Sequence, residues 1–212
     1  MQPESVQALL KYCHIKKYKK KECIFPYGDQ CKSLYYIIDG QVGINMPDLQ
    51  YQNKDVVIDF IGRHEFFGIE GFFNKNSLPY TITALDHCTI AEISYLKLRT
   101  ILDRDLSNYS VELLIILSQR LSESIDWSRV NFYNHIYGDI DDRVYAALLF
   151  LCKKPSAMTH PDGMQIKVKT VELCNIIGVC RERIGNSFKS LMEKGLIYRE
   201  GICRDIVLIG VR

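Results

Sequence analysis

The chain has 212 residues, 47% hydrophobic and 25% charged, with a net charge of +2. This describes one large or two modest globular domains with a sizeable core, and it excludes a polycation. No apolar run reaches 18 residues, so no membrane span is expected.

The opening segment MQPESVQALLKYCH has no charged lead into an apolar stretch and does not read as a secretory signal. Eight cysteines (Cys13, Cys23, Cys31, Cys88, Cys152, Cys174, Cys180 and Cys203) include no CxxC pair. That argues against a zinc ribbon and a thioredoxin-type redox pair. Free, mostly buried thiols in a reducing cytoplasm are the expectation. Residues 1–138 hold 15 Lys/Arg against 16 Asp/Glu, and residues 139–212 hold 12 against 9, so the positive charge sits toward the C-terminus. That fits a small nucleic-acid-binding unit without requiring one.

In chain order, residues 4–12 read as a short helix. From residue 17 to about 95, glycines and prolines separate short β-rich runs: Leu34–Ile38, Val42–Met46, Val56–Ile61, Tyr80–Ala84 and Thr89–Ile93. Strands at this spacing predict an antiparallel sandwich or roll. From Tyr95 to Tyr137 there is no Gly or Pro. Leu96–Leu102 reads as a short helix, and Asp105 or Ser107 can cap a longer one over 107–136, about 45 Å at 1.5 Å per residue. It is apolar on both faces near residues 113–117, and Leu114, Leu117 and Leu121 follow heptad spacing. One small roll covers one face only, so the other is expected to pair with a second chain.

Gly138 breaks this helix, and Asp139 is a good cap for the next, Asp139–Lys153, whose first turn is acidic as the helix dipole prefers. Pro161–Asp162–Gly163 is a turn signal, and Gln165–Val168 reads as a strand. Residues 170–194 read TVELCNIIGVCRERIGNSFKSLMEK. Thr170 is expected to cap a short helix holding Leu173, Ile176 and Ile177, and Gly178 sits where two helices need a left-handed turn. A second helix from Arg181 carries Ile184, Phe188, Leu191 and Met192 on one face and Arg181, Glu182, Asn186 and Lys189 on the other. That is a helix-turn-helix layout, with Arg181 and Glu182 in the turn that meets base edges. Arginine can fork onto guanine, and glutamate can accept from a cytosine amine. An ordinary amphipathic helix with a solvated charged face is the competing reading. Residues 195–197 and 206–208 suggest a closing hairpin, or wing.

The ordered set of LYYIIDGQV (34–42), AEISY (91–95), AMTHPDGMQIK (157–167), and Arg181–Glu182 followed by Gly185 resembles the Crp/Fnr-type bacterial transcription regulators, and among them the cyclic-AMP-binding members. The likeness covers nearly the whole chain. It implies an α+β fold: an N-terminal cyclic-nucleotide-binding-type β-roll (jelly roll), a long dimerisation helix and a C-terminal winged helix-turn-helix. The corresponding division is 1–106, 107–138 and 139–212. It further implies a homodimer on a palindromic double-stranded DNA site.

The resemblance places Arg181, Glu182 and Asn186 at base-reading positions, the last normally Arg. It places Cys180 and Lys189 at phosphate-contact positions, and Arg183 could add another. Lys169 and Thr170, at the mouth of the first helix, complete the candidate DNA-contact set. The family loop matching Ala157, Met158, Thr159, His160, Pro161, Asp162 and Gly163 touches the C-terminal domain of the RNA polymerase α subunit. A second contact surface corresponds to His14, Lys16 and Lys97. A plain β-turn and a solvated basic run are the competing readings.

The family's nucleotide cassette runs F-G-E-L, then about ten residues to R-S. Aligned on Gly68, this chain has Ile69 for the Glu, Pro79 for the Arg and Tyr80 for the Ser. Glu70 is one residue off and, on a strand, would face the opposite way. Ser128–Arg129 replaces an adenine-contacting Thr-Ser pair. On these departures no cofactor is expected, cyclic AMP is not expected to bind tightly, and the effector is unknown. Other readings are an apolar ligand among Phe66, Phe67, Ile69, Phe72, Phe73 and Tyr80, or those aromatics merely filling the roll. A haem or metal at His64, His87 or His135, an iron–sulfur cluster at Cys13, Cys23 and Cys31, and no effector at all are weaker or open alternatives. No GxSxG, HExxH or glycine-rich phosphate loop supports an enzyme. A ligand sensor whose helix-turn-helix serves only protein interaction is the remaining rival class.

Overall fold

A computed structural model describes residues 3–46, 56–73, 77–200 and 205–211. The chain divides into two compact units, Met1–Ser124 and Ile125–Arg212.

The first unit opens with helix α1 (Glu4–Leu10) and continues through eight strands: β1 (His14–Tyr18), β2 (Cys23–Phe25), β3 (Ser33–Asp39), β4 (Val42–Met46), β5 (Val56–Ile61), β6 (Phe66–Phe67), β7 (Thr81–Ala84) and β8 (Cys88–Ser94). A four-residue helix α2 (Glu70–Phe73) follows β6. The strands form two antiparallel four-stranded sheets, ordered β1-β8-β3-β6 and β2-β7-β4-β5. Alternation along β3 builds two cores from one strand. Ile37 faces the other sheet with Val42, Ile61, Phe67, Ile82 and Ile90. Leu34 and Tyr36 face outward, onto a second cluster with Val6, Leu9, Leu98, Ile101, Leu113 and Leu117. Those last residues come from α1, from α3 (Tyr95–Asp103) and from the long helix α4 (Ser110–Tyr137).

The second unit holds α5 (Ile140–Cys152), β9 (Met158–His160), β10 (Gly163–Ile166), α6 (Thr170–Ile177), α7 (Arg181–Glu193), β11 (Ile197–Glu200) and β12 (Asp205–Ile209). Its sheet runs β11-β12-β10-β9, all antiparallel. The expected roll, long helix and winged helix-turn-helix are therefore present.

Several local expectations are corrected. Strands β1, β2, β6 and β9 were not foreseen. β1 is almost wholly exposed, so it carries no buried alternation, and β6 is only two residues long. A 3-10 turn, Ser107–Tyr109, precedes the long helix, which begins at Ser110. Leu117 lies in the roll-side core, and Leu121 packs against it. Hence these two cannot define a surface for a second chain, whereas Val111, Leu114, Ile115 and Ile125 are exposed. Thr170 is the first residue of α6 rather than its cap. Of the seven cysteines described, Cys31, Cys88 and Cys152 are buried, Cys13 and Cys174 are half-buried, and Cys23 and Cys180 are exposed; Cys203 lies outside the described residues. Among the described residues no helix is long and apolar enough to cross a membrane.

Candidate functional site

The helix pair of the second unit is set by local capping. The Asp139 carboxylate accepts from the Asp142 backbone N–H at 2.9 Å, and Asp142 returns the bond to the Asp139 N–H at 3.1 Å. This capping box fixes where α5 starts. Gly178 ends α6 at φ 71°, the left-handed turn a glycine adopts without penalty, and α7 begins three residues later. The Arg143 guanidinium on α5 donates to the carbonyl of Ile177, tying down the end of α6. Asp141 on α5 accepts from Ser190 at 2.5 Å and from Lys194 at 2.7 Å. Burial alone would raise the Asp141 carboxyl, but hydrogen bonds from Lys194, Ser190 and Ser187 hold it below the usual carboxylate range.

These bonds set the orientation of α7. Ile184, Phe188 and Leu191 are buried beneath it. Met192, expected on the same face, is 37% exposed, because the buried stripe ends one residue earlier. Arg181, Glu182, Arg183, Asn186 and Lys189 are all exposed, and Cys180 is exposed at the helix N-cap. Lys169 caps α6, its N–H donating to Glu172 at 3.0 Å, and Thr170 is half-buried beside it. The DNA-contact candidates thus lie on one helix and at the mouth of its partner.

The loop Ala157–Gly163 is β9, a turn at Pro161–Asp162 and the first residue of β10. It is braced by β11. The Tyr198 hydroxyl donates to Asp162 at 2.8 Å, and the His160 Nε2 lies 3.1 Å from the Glu200 carboxylate. The Asp162 N–H donates to His160 Nδ1 at 3.2 Å, which places the neutral ring's proton on Nε2, toward Glu200. Burial and the bond to Asp162 push the Tyr198 hydroxyl up to about 12. A Cβ on Gly163 would meet the Leu208 carbonyl oxygen at 1.9 Å, so only glycine fits where β10 passes β12.

In the first unit, His14 and Lys16 are exposed on β1, and Lys97 on α3 donates to the Tyr12 carbonyl at 2.7 Å, two residues before His14. The three therefore share one neighbourhood. Lys16 is engaged with Glu92 at 2.5 Å.

The roll and the first half of α4 enclose a pocket of about 340 Å³, a size suited to a small ligand. Phe66, Phe67, Gly68, Ile69 and Tyr80 line it. The Tyr95 hydroxyl donates to the Gly68 carbonyl, pinning the turn in which β6 gives way to α2. Because Glu70 begins that helix rather than extending a strand, it lines the same pocket as Ile69, contrary to the alternation argument. Tyr80 hydrogen-bonds Glu70, and burial with that carboxylate holds the phenol far above its ordinary value. Pro79 is exposed and outside the lining. Ser128 and Arg129 belong to the second unit, where both are exposed and Arg129 pairs with Asp126 at 3.5 Å. Phe72 packs edge-on against Tyr95, and the side chain of Phe73 and the turn Asn74–Lys75–Asn76 lie outside the described residues. Among the described residues no group of three metal-ligating side chains gathers, at the histidines or elsewhere.

Sequence reasoning missed Asp59, Arg120 and Ser124, which also line the pocket. Arg120 lies 3.8 Å from Asp59 and 3.6 Å from Glu65. Its signal was an arginine one turn beyond Leu113 and Leu117, on the inward stripe of a helix.

A roll joined through a long helix to a winged helix-turn-helix defines the class of effector-type transcription regulators. Residues 15–105 match the cyclic nucleotide-binding domain family. The chain is 35% identical over 208 residues to the cAMP-activated global transcriptional regulator Vfr of Pseudomonas aeruginosa, covering 96% of this chain and 93% of that one. It is 34% identical to the cAMP-activated global transcriptional regulator CRP of Pasteurella multocida, covering 98% and 96%. Among solved structures, the c-di-GMP responsive global regulator CLP of Xanthomonas campestris superposes with a TM-score of 0.70 at 29% identity, covering 97% of this chain and 98% of that one. The chain belongs to the Crp/Fnr family of transcription regulators. Its relatives are regulators and not enzymes.

These relatives correct the expectation that no cofactor and no cyclic AMP would bind: proteins this similar over almost the whole chain are cAMP-activated. The expectation counted only residues standing on the motif positions. The pocket takes its ionisable groups from elsewhere, at Asp59, Glu70 and Arg120.

Proposed function

We propose that this chain is a cytoplasmic, homodimeric transcription regulator that reads a palindromic double-stranded DNA site through α7 and takes a cyclic-nucleotide effector in its roll. The observation that carries the DNA reading is the two-sided α7: Ile184, Phe188 and Leu191 buried, Arg181, Glu182, Arg183, Asn186 and Lys189 exposed. Arg181 and Glu182 meet base edges, Asn186 favours adenine, and Arg183, Lys189, Cys180, Lys169 and Thr170 serve the backbone. Dimerisation uses the exposed apolar residues of α4, within the division 1–106, 107–138 and 139–212. The braced loop Ala157–Gly163 contacts the C-terminal domain of the RNA polymerase α subunit, and His14, Lys16 and Lys97 form a second contact, so the regulator activates.

The deciding experiment is selection of bound duplexes from a random pool, with and without cyclic AMP. Enrichment of a two-fold-symmetric sequence, stronger with the nucleotide and falling steeply with salt, is the expected result. No enriched sequence would return the helix pair to a protein-interaction role.

A further inference from the structure

The cassette positions that would hold a cyclic nucleotide carry Ile69, Pro79 and Tyr80, none of which supplies a charge. Among the described residues the pocket nevertheless contains one basic side chain, Arg120, and it comes from α4 rather than from the roll. Its guanidinium is 11% exposed. Nη1 is buried and has no hydrogen-bond acceptor among the described residues, its nearest carboxylate there being Glu123 at 3.9 Å. The contacts to Asp59 and Glu65, at 3.8 and 3.6 Å, are also longer than the ~2.7–2.9 Å of a charge-assisted hydrogen bond. A buried guanidinium with an idle donor is costly unless something completes it.

The surrounding carboxylates do not depend on it alone. Asp59 accepts from the Phe60 N–H at 2.7 Å, Glu65 accepts from the Gly62 N–H at 2.7 Å, and Glu70 takes the Tyr80 hydroxyl. Each keeps a donor if Arg120 turns toward a ligand. Glu70, at the head of α2, also offers an acceptor on the pocket wall. An anionic group for Arg120 and a hydroxyl for Glu70 are the two polar features of a ribose cyclic phosphate.

We infer that the nucleotide-holding roles have moved off the cassette positions in this chain: Arg120 binds the cyclic phosphate, and Glu70 accepts from the ribose hydroxyl, displacing Tyr80. The inference rests on the cyclic-nucleotide reading above. It places the phosphate's partner on α4, the helix that leaves the roll, so effector binding acts on that helix directly.

The test is calorimetric titration of the full-length protein and of Arg120→Gln and Glu70→Gln with cyclic AMP, adenosine and 2′-deoxy cyclic AMP. The wild type is expected to prefer cyclic AMP to both analogues. Arg120→Gln is expected to lose about 10- to 100-fold for cyclic AMP and little for adenosine, the size of one charge-assisted contact. Glu70→Gln is expected to narrow the preference for cyclic AMP over its 2′-deoxy form. A variant that merely loosened the pocket would weaken all three ligands together, and unchanged ratios in both variants would overturn the inference while leaving the effector reading intact. No saturable cyclic-AMP binding by the wild type would overturn the effector reading itself.

Discussion

The Lys194 ammonium, at the end of the reading helix, lies 2.7 Å from the Asp141 carboxylate in the first turn of α5. Ser190 donates to the same oxygen at 2.5 Å. One carboxylate therefore fixes both the last turn of α7 and its distance from the scaffold helix. Asp141→Asn is expected to destabilise the protein by about 1 kcal/mol at neutral pH, the scale of a partly exposed charged hydrogen bond. The pH dependence follows from the lowered carboxyl: the wild-type advantage is full above the ordinary value of 3.8 and is lost as pH falls through the lower folded value. Urea titrations of both proteins at pH 7 and pH 3 measure this, and an advantage that persists at pH 3 would contradict it.

Arg181→Ala is expected to weaken binding to the best selected duplex by about 1–3 kcal/mol and to relax preference at one base pair. Lys189→Ala should instead weaken all duplexes alike and reduce the salt slope. Asn186→Arg should shift selection from adenine toward guanine at its position. Selection from a random pool with each variant checks all three.

The dimer surface is expected on the exposed side of α4. Ile115 and Ile125 are 52% and 50% exposed, whereas Leu113 is 1% exposed and belongs to the roll-side core. Replacing Ile115 and Ile125 together by Glu should give folded monomers in sedimentation. Replacing Leu117 by Glu should instead reduce thermal stability, because a charge would enter the core. A dimer that survives the first double substitution would place the interface elsewhere.

Tyr198→Phe removes the hydroxyl that donates to Asp162 at 2.8 Å while keeping the ring. DNA affinity should stay within twofold, and transcription activation at a saturated site should drop several-fold. Equal losses in both assays would mean the brace serves the wing and not the loop.

The parts of this protein readable from sequence are those fixed by neighbouring residues. Asp139 and Gly178 set a helix start and a helix turn through bonds within a few residues, so both were legible. Strand β1 was not, because His14–Tyr18 is held by pairing with β8 and buries almost nothing. Glu70 was misread because its orientation depends on β6 ending after two residues. Arg120 was silent because its partners, Asp59 and Glu65, are brought to it by the fold. On α7 the exposed residues were legible from the periodicity alone, but nothing local revealed the anchorage by Asp141.

Gly163 has a consequence for how the loop before it can vary. The strand after the turn pairs Gly163 with both His160 and Ile209, and the glycine alone clears the Leu208 carbonyl. Adding or deleting one residue between His160 and Gly163 would move a side chain into that gap and turn every following residue of β10 to the wrong side of the sheet. Residues at the tip can therefore be exchanged, while the number of residues cannot. The surface offered there is fixed in length and free in chemistry, so relatives of this chain can change what they touch with it by substitution alone.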